Sequence, residues 1–276
     1  MNKKKFKVII SIITLIINLY CLFIFSNMYN SHYIPTMPKT DIASILRNPE
    51  LSQEDYSLLY SQTGLSKIAI DELLSQENGL KQILDFQTNY YTKQRIYIEK
   101  LNFFTSQENL MVSSANTNKD SKIAPLKNGD ILFTKSTHTL YWRHGHCGIV
   151  IDAKKGITLE SLEPGTISML QDISKWEAYS TLKVMRLKNV EQKKLDEIAQ
   201  YAAKNLIDID YSIFASKKHK LEPKTVNCSQ IIYQAFIHFG LDLDSNSGIF
   251  VTPENIAKSK LLEVVQIYGF NPEKDW

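Results

Sequence analysis

Cysteine is scarce in this chain: Cys21, Cys147 and Cys228 are the only three among 276 residues. One of them falls in an apolar N-terminal run, so the sequence carries no disulfide framework. An excess of charge of one sign is missing too. The net charge is +3, and Lys3, Lys4, Lys5 and Lys7 all stand at the N-terminus. The rest is near neutral, which argues against a dedicated nucleic-acid binder. No His/Cys/Asp set has metal-ligand spacing, nothing resembles His-Glu-x-x-His, and no segment points to a cofactor. No internal repeat is evident. What remains is an ordinary folded composition, 43% hydrophobic and 22% charged.

The four lysines precede Val8 to Phe25, apolar except for Ser11, Thr14, Asn18 and Cys21. This run is near the lower limit for a helix that spans a bilayer. No lysine follows until Lys39. That asymmetry places the N-terminus inside and the rest outside, as a single-pass, extracytoplasmic protein of the cell membrane. A cleaved signal, giving a secreted protein, is the alternative. Phe25-Ser26-Asn27-Met28-Tyr29 is a poor cleavage site, and Tyr20 before Cys21 is too bulky for lipoprotein-type processing. The expectation is an anchor over residues 1–28 and a proline-containing tether over 29–40.

Residues 41–112 read as a helical prefix. Ser52 with Asp55 gives a capping-box-like start, with Leu58 and Leu59 on one face before Gly64. A second helix starts near Ser66, points Ile70, Leu73 and Leu74 inward, and stops before Gly79. A third begins near Leu80, with Ile83, Leu84 and Phe86. Gln94 to Phe104 suits strand or helix equally: Ile96 and Ile98 alternate, yet Leu101 fits a helical face. The prefix shows no chemistry of its own and reads as a packing or recognition segment. Residues 113–128 are polar and read as a linker or exposed loop at the start of a domain over 113–276.

From 129 the pattern changes. Strands are expected at Gly129–Thr134, His146–Asp152, Ile157–Leu162 and Leu182–Leu187, with Lys155-Gly156 turning a hairpin between the second and third. A helix over Glu191–Leu206 follows, with Leu195, Ile198, Ala199 and Ala202 inward. Another is expected from Cys228 to Phe239, stopped by Gly240. Thr252-Pro253-Glu254-Asn255 is a capped helix start, and Leu261–Tyr268 a last strand. Strands first and helices mostly after indicate an α+β domain on an antiparallel sheet.

Cys228 sits where a helix should begin. There the helix dipole and free N–H groups favour thiolate, the nucleophilic form. Thiol catalysis also needs a base and a group that orients it. His146 opens a strand, and Glu160 lies on the adjacent hairpin strand, able to take the second ring N–H. His144 is an alternative base and Glu163 an alternative carboxylate. A free Cys228 suits this chemistry, with Cys147 a buried strand residue. His138, Trp142 and Arg143 either line the cleft or belong to a solvated loop. Asp208, Asp210 and Tyr211 are candidates to shape a pocket, while His219 and His238 read as surface or packing residues.

The order His, Glu, Cys and its flanks resemble the circularly permuted branch of the NlpC/P60 superfamily, the papain-like amidases of the YiiX/YebB type. The likeness rests on Gly129-Asp130-Ile131-Leu132-Phe133, His146-Cys147-Gly148-Ile149-Val150, Leu159-Glu160-Ser161, Asn227-Cys228-Ser229-Gln230-Ile231-Ile232 and Thr252-Pro253-Glu254-Asn255. It covers about 129–268 and leaves the prefix outside. It implies a permuted papain-like fold, with Cys228, His146 and Glu160 catalytic. The implied substrates are amide bonds of cell-wall (peptidoglycan) peptides or related small amides. Acyl transfer or lipid-amide cleavage at a membrane surface is the runner-up. A non-catalytic binding domain that kept the fold is the rival from another class, and it has no need of all three groups.

Overall fold

A computed structural model describes residues 3–28, 32–111, 123–139, 142–217 and 223–276. The first element is helix α1, Lys3–Met28. Its segment Lys3–Leu22 is long and apolar enough to cross a membrane, and its side chains pack into no core. Residues 32–40 form no regular element, but they lie along the body: Tyr33 N–H donates to Gly269 O at 2.9 Å, and Gln62 Nε2 donates to Pro38 O at 3.1 Å.

The prefix holds the three expected helices, α2 (Gln53–Thr63), α3 (Lys67–Leu74) and α4 (Gly79–Tyr91). Ser52 and Asp55 form the reciprocal capping box, and Gly64 closes α2 at φ 72°. Gly79 does not stop α3; it is the first residue of α4. A Cβ there would lie 1.7 Å from Leu73 O, so glycine lets the start of α4 meet the end of α3. The ambiguous stretch is strand β1, Ile96–Lys100, in a hairpin with β2, Thr105–Leu110. With β4 (Thr137–Thr139) and β5 (Trp142–Arg143) these make a four-stranded sheet.

The main sheet has six antiparallel strands in the order β10-β9-β3-β6-β7-β8. They are β3 (Ile131–Thr134), β6 (His146–Asp152), β7 (Ile157–Glu160), β8 (Met169–Asp172), β9 (Leu182–Leu187) and β10 (Leu262–Tyr268). The third strand stops at Glu160, two residues short of expectation. β8 and the short helix α5 (Ser174–Ala178) were not legible in the sequence. β8 is an edge strand of alternating exposure, Met-Leu-Gln-Asp, with too little apolar content to announce itself.

Period-two alternation gives the sheet two distinct faces. Ile131, Phe133, Cys147, Ile149 and Leu159 join a core with helices α6 (Gln192–Asn205) and α7 (Cys228–Ile237). Leu132, Val150, Val184 and Val265 join the other core, with the prefix helices and Trp176. Helix α8, Pro253–Ala257, starts with a capping box from Thr252 and Asn255. The architecture is α+β with an antiparallel sheet and an apolar N-terminal helix.

Candidate active site

Cys228 is the first residue of α7. Asn227 caps that helix, its side chain accepting from Gln230 N–H at 2.9 Å. Ser229 Oγ donates to Val251 O at 2.7 Å and fixes the first turn against the neighbouring loop. The helix ends at Ile237 rather than Phe239, and Gly240 at φ 78° turns the chain. Cys228 is partly exposed and Cys147 buried, and both are free thiols.

His146 starts β6, and its register partner Thr134 ends β3. The site therefore lies at one end of the main sheet. His146 and Glu160 lie on the prefix-facing side, next to Trp176. The Nε2–H of His146 donates to Glu160 Oε2 at 2.6 Å. That leaves Nδ1 as the ring nitrogen available to Cys228, which lies near enough to raise the pKa of the ring. The ring stacks on Trp176, centroids 5.5 Å apart and planes at 18°.

Glu160 is fully buried, and four donors occupy its two oxygens. Oε2 takes His146 and Lys175 Nζ, each at 2.6 Å. Oε1 takes Thr158 Oγ1 at 2.6 Å and Trp176 Nε1 at 3.0 Å. A carboxylate so satisfied can stay ionised without water. Burial pushes its pKa up, but His146 and Lys175 outweigh that and hold it at about 2. Gly148 makes room for it: a Cβ there would lie 2.8 Å from Glu160 Cγ and 3.1 Å from Trp176.

The electrostatics polarise the pair. Burial lowers the pKa of His146, yet its hydrogen bonds to Cys228 and Glu160 raise it to about 9. The Cys228 thiol is held well below its ordinary value, first by a hydrogen bond from Cys147 and then by His146, against the upward push of burial. Cys147 moves the opposite way, up, through burial and its bond to Cys228. These shifts favour thiolate at Cys228 beside a protonated His146 and keep Cys147 as a thiol.

The other sequence candidates fall elsewhere. His144 is tied to Thr139 Oγ1 at 2.9 Å and to Gly145 O at 2.7 Å, and burial lowers its pKa. Glu163 sits in the turn after β7 and accepts from Asn102 Nδ2 at 2.6 Å. His138 and Arg143 belong to a buried cluster on Glu108; Arg143 grips that carboxylate at 2.7 and 3.0 Å. Tyr211 pairs with Val226 just before α7, and burial together with nearby Cys228 raises its pKa. Asp210 bridges to Ile167, and Asp208 takes a left-handed turn at φ 61°. His238 stacks on Tyr201 with centroids 3.8 Å apart. His219 and residues 113–122 of the linker lie outside the described residues.

Sequence reasoning missed Thr158, Lys175, Trp176 and the donor role of Cys147. Thr158 had a signal, since residues two apart on a strand share a face with Glu160. Lys175 and Trp176 had none, because they arrive on α5. Among the described residues, no group of three or more His, Cys, Asp or Glu is placed to hold a metal ion.

No family model matches the chain. A stretch of 140 residues is 27% identical to the uncharacterized protein YycO of Bacillus subtilis, covering 50% of this chain and 55% of that protein. The chain thus matches about half the length of that relative. The crystal structure of the metalloprotein YiiX from Escherichia coli O157:H7 is similar over 51% of this chain and 97% of that one, with a TM-score of 0.41 and 16% identity.

Proposed function

We propose that this protein is a thiol-dependent amide hydrolase held at a membrane by α1. The observation that supports the reading is the buried His146–Glu160 hydrogen bond beside Cys228 at the start of α7, whose thiol is held well below its ordinary pKa. The Cys228 sulfur attacks the amide carbonyl carbon. The oxyanion forms beside the first turn of α7, where backbone N–H groups and the helix dipole favour negative charge. As the C–N bond breaks, His146 passes its proton to the leaving amine. Water then attacks the thioester, giving His146 a proton and releasing the acid and the thiolate. Glu160 keeps the ring oriented throughout and does not itself take a proton. Peptides of the cell wall or related small amides are the substrate class, and the lysines Lys3, Lys4, Lys5 and Lys7 at the start of α1 favour a domain outside the cytoplasm.

The test is digestion of cell-wall muropeptides by the full chain in detergent, read by mass spectrometry. New free amine and acid products that disappear in Cys228→Ser support the reading. Products that persist in Cys228→Ser would falsify it, since the thiol would then be dispensable.

A further inference from the structure

Six of the large apolar side chains exposed outside α1 stand on neighbouring loops. Phe103 and Phe104 stand at the β1–β2 tip, Trp142 at the β4–β5 tip, Ile213 and Phe214 before α7, and Ile249 before α8. Phe103 is 92% exposed and Phe214 75%. Backbone and side-chain bonds link these loops into one rim. Asn102 bonds Glu163, Tyr211 N–H donates to Thr166 O, Ser212 N–H to Val226 O and Lys217 N–H to Ile249 O. Each loop opens at the end of the main sheet that bears His146, Glu160 and the start of α7. An apolar rim of this kind on a soluble surface marks an interaction site.

The chain enters the body at that same end. His32 Nδ1 donates to Ser180 O at 2.5 Å, and Tyr33 N–H to Gly269 O at 2.9 Å. Ser180 precedes β9 and Gly269 follows β10, where Tyr268 pairs with Leu182. Only four peptide steps separate Met28, the last residue of α1, from His32. Fully extended, four residues reach about 14 Å. If α1 is membrane-embedded, the site end is tethered within about one headgroup layer of the bilayer.

We propose that the loops carrying Phe103, Phe104, Trp142, Ile213, Phe214 and Ile249 dock into the lipid bilayer that receives α1, so that the mouth above Cys228 faces the membrane. Aromatic side chains suit the headgroup boundary, where one end is apolar and the other wet. Substrate then reaches Cys228 from headgroup level rather than from bulk solvent. The inference rests on the membrane reading of α1 and is independent of amidase activity.

The test uses the full chain, with Trp142→Phe as background, reconstituted in liposomes containing lipids brominated along the acyl chain. Phe103→Trp, Phe214→Trp and Leu261→Trp are compared. Leu261 is exposed at the start of β10, the opposite end of the sheet. Tryptophan at 103 and at 214 should each be quenched beyond the background, and tryptophan at 261 should not. Absence of quenching at either rim position, or equal quenching at 261, overturns the docking. Blue-shifted but unquenched emission at 103 points to a second copy covering the rim and overturns it too. Protein that fails to float with the liposomes removes the anchor and the docking together. Activity enters none of these readouts, so the amidase reading stands or falls separately.

Discussion

The prefix-facing side of the main sheet carries a buried ionic cluster at each end, and the two are built from different cations. At one end Arg186 grips Asp130 through Nε and Nη2 at 2.7 and 2.8 Å and reaches Glu72 at 2.6 Å. At the other, Glu160 holds His146 and Lys175. Both carboxylates are fully buried and saturated with donors. Arginine keeps its charge at every accessible pH, so the Asp130 cluster has no proton to hand on. Histidine is a titratable cation, here losing its charge as pH rises through about 9, so the Glu160 cluster holds a proton it can hand on. The two clusters differ in that one has a transferable proton with a thiol in reach.

The comparison breaks most sharply when each cation is removed. Arg186→Met leaves Asp130 buried without its partner and should cost about 3–5 kcal/mol of stability. Below its lowered unfolding midpoint the variant should keep near-wild-type turnover. His146→Ala should behave the opposite way: turnover drops by about 10²- to 10⁴-fold, with a much smaller change in the midpoint. Urea denaturation and product formation measured on both variants decide the matter. Equal activity losses in the two would erase the distinction between the ends.

Gly148→Ala sharpens it at the residue level. The added methyl would press on Glu160 Cγ and Trp176, backed by a sheet that cannot yield. Overpacking of this kind costs about 1–3 kcal/mol. The displaced carboxylate should also free the His146 ring, so iodoacetamide labelling of Cys228 should need a higher pH. A variant with lower stability but an unmoved labelling curve would show that Glu160 does not orient the base.

Proton linkage gives the next effect. His146, raised from 6.5 to about 9, contributes stability that is full below 6.5 and is lost as pH rises through about 9. Cys228, held below its ordinary 9.0, contributes stability that is full above 9.0 and is lost as pH falls through its folded value. Between 6.5 and 9 the folded pair keeps the histidine proton and the unfolded pair keeps the thiol proton. The bound protons are equal in number, so the contribution of this pair to stability should be flat across that window. Cys228→Ser removes one side of the balance. Relative to wild type, its stability should then decline from 6.5 upward, at no more than about 1.4 kcal/mol per pH unit. Parallel slopes for the two proteins would mean that no thiolate–imidazolium pair forms.

Much of this was legible in the sequence, for reasons that differ along the chain. β6 and β9 were readable because both are interior strands flanked by turns, capping residues announced α2 and α8, and apolar spacing before Gly240 announced α7. Cys228, His146 and Glu160 were legible as candidates because each stands at an element boundary, where a side chain can leave the core. The partners of Glu160 were hidden because edge strand β8 and five-residue α5 carry no periodic signal. The Phe103 and Phe214 rim was hidden as well, since exposure depends on which loops share an end of the sheet, and only tertiary structure decides that.

The smallest expected effect separates the two histidines of the His144-Gly145-His146 stretch. Both lie close enough to Cys228 to feel its charge. They differ in what holds them. His144 is bound by Thr139 and the Gly145 carbonyl, neither of which is charged, and burial lowers its pKa. It is therefore neutral at pH 7 and offers the thiolate no cation. His146 has a buried carboxylate behind it and stays protonated up to about 9. Removing a neutral ring should move the Cys228 labelling curve by only a few tenths of a pH unit, whereas removing an imidazolium should move it toward the free-cysteine value of about 8.5. Iodoacetamide labelling of Cys228 in wild type, His144→Ala and His146→Ala, followed from pH 4 to 10, reads the two shifts directly. A large shift in His144→Ala with none in His146→Ala would move the base two residues upstream and leave the Glu160 cluster as structural as the one at Asp130.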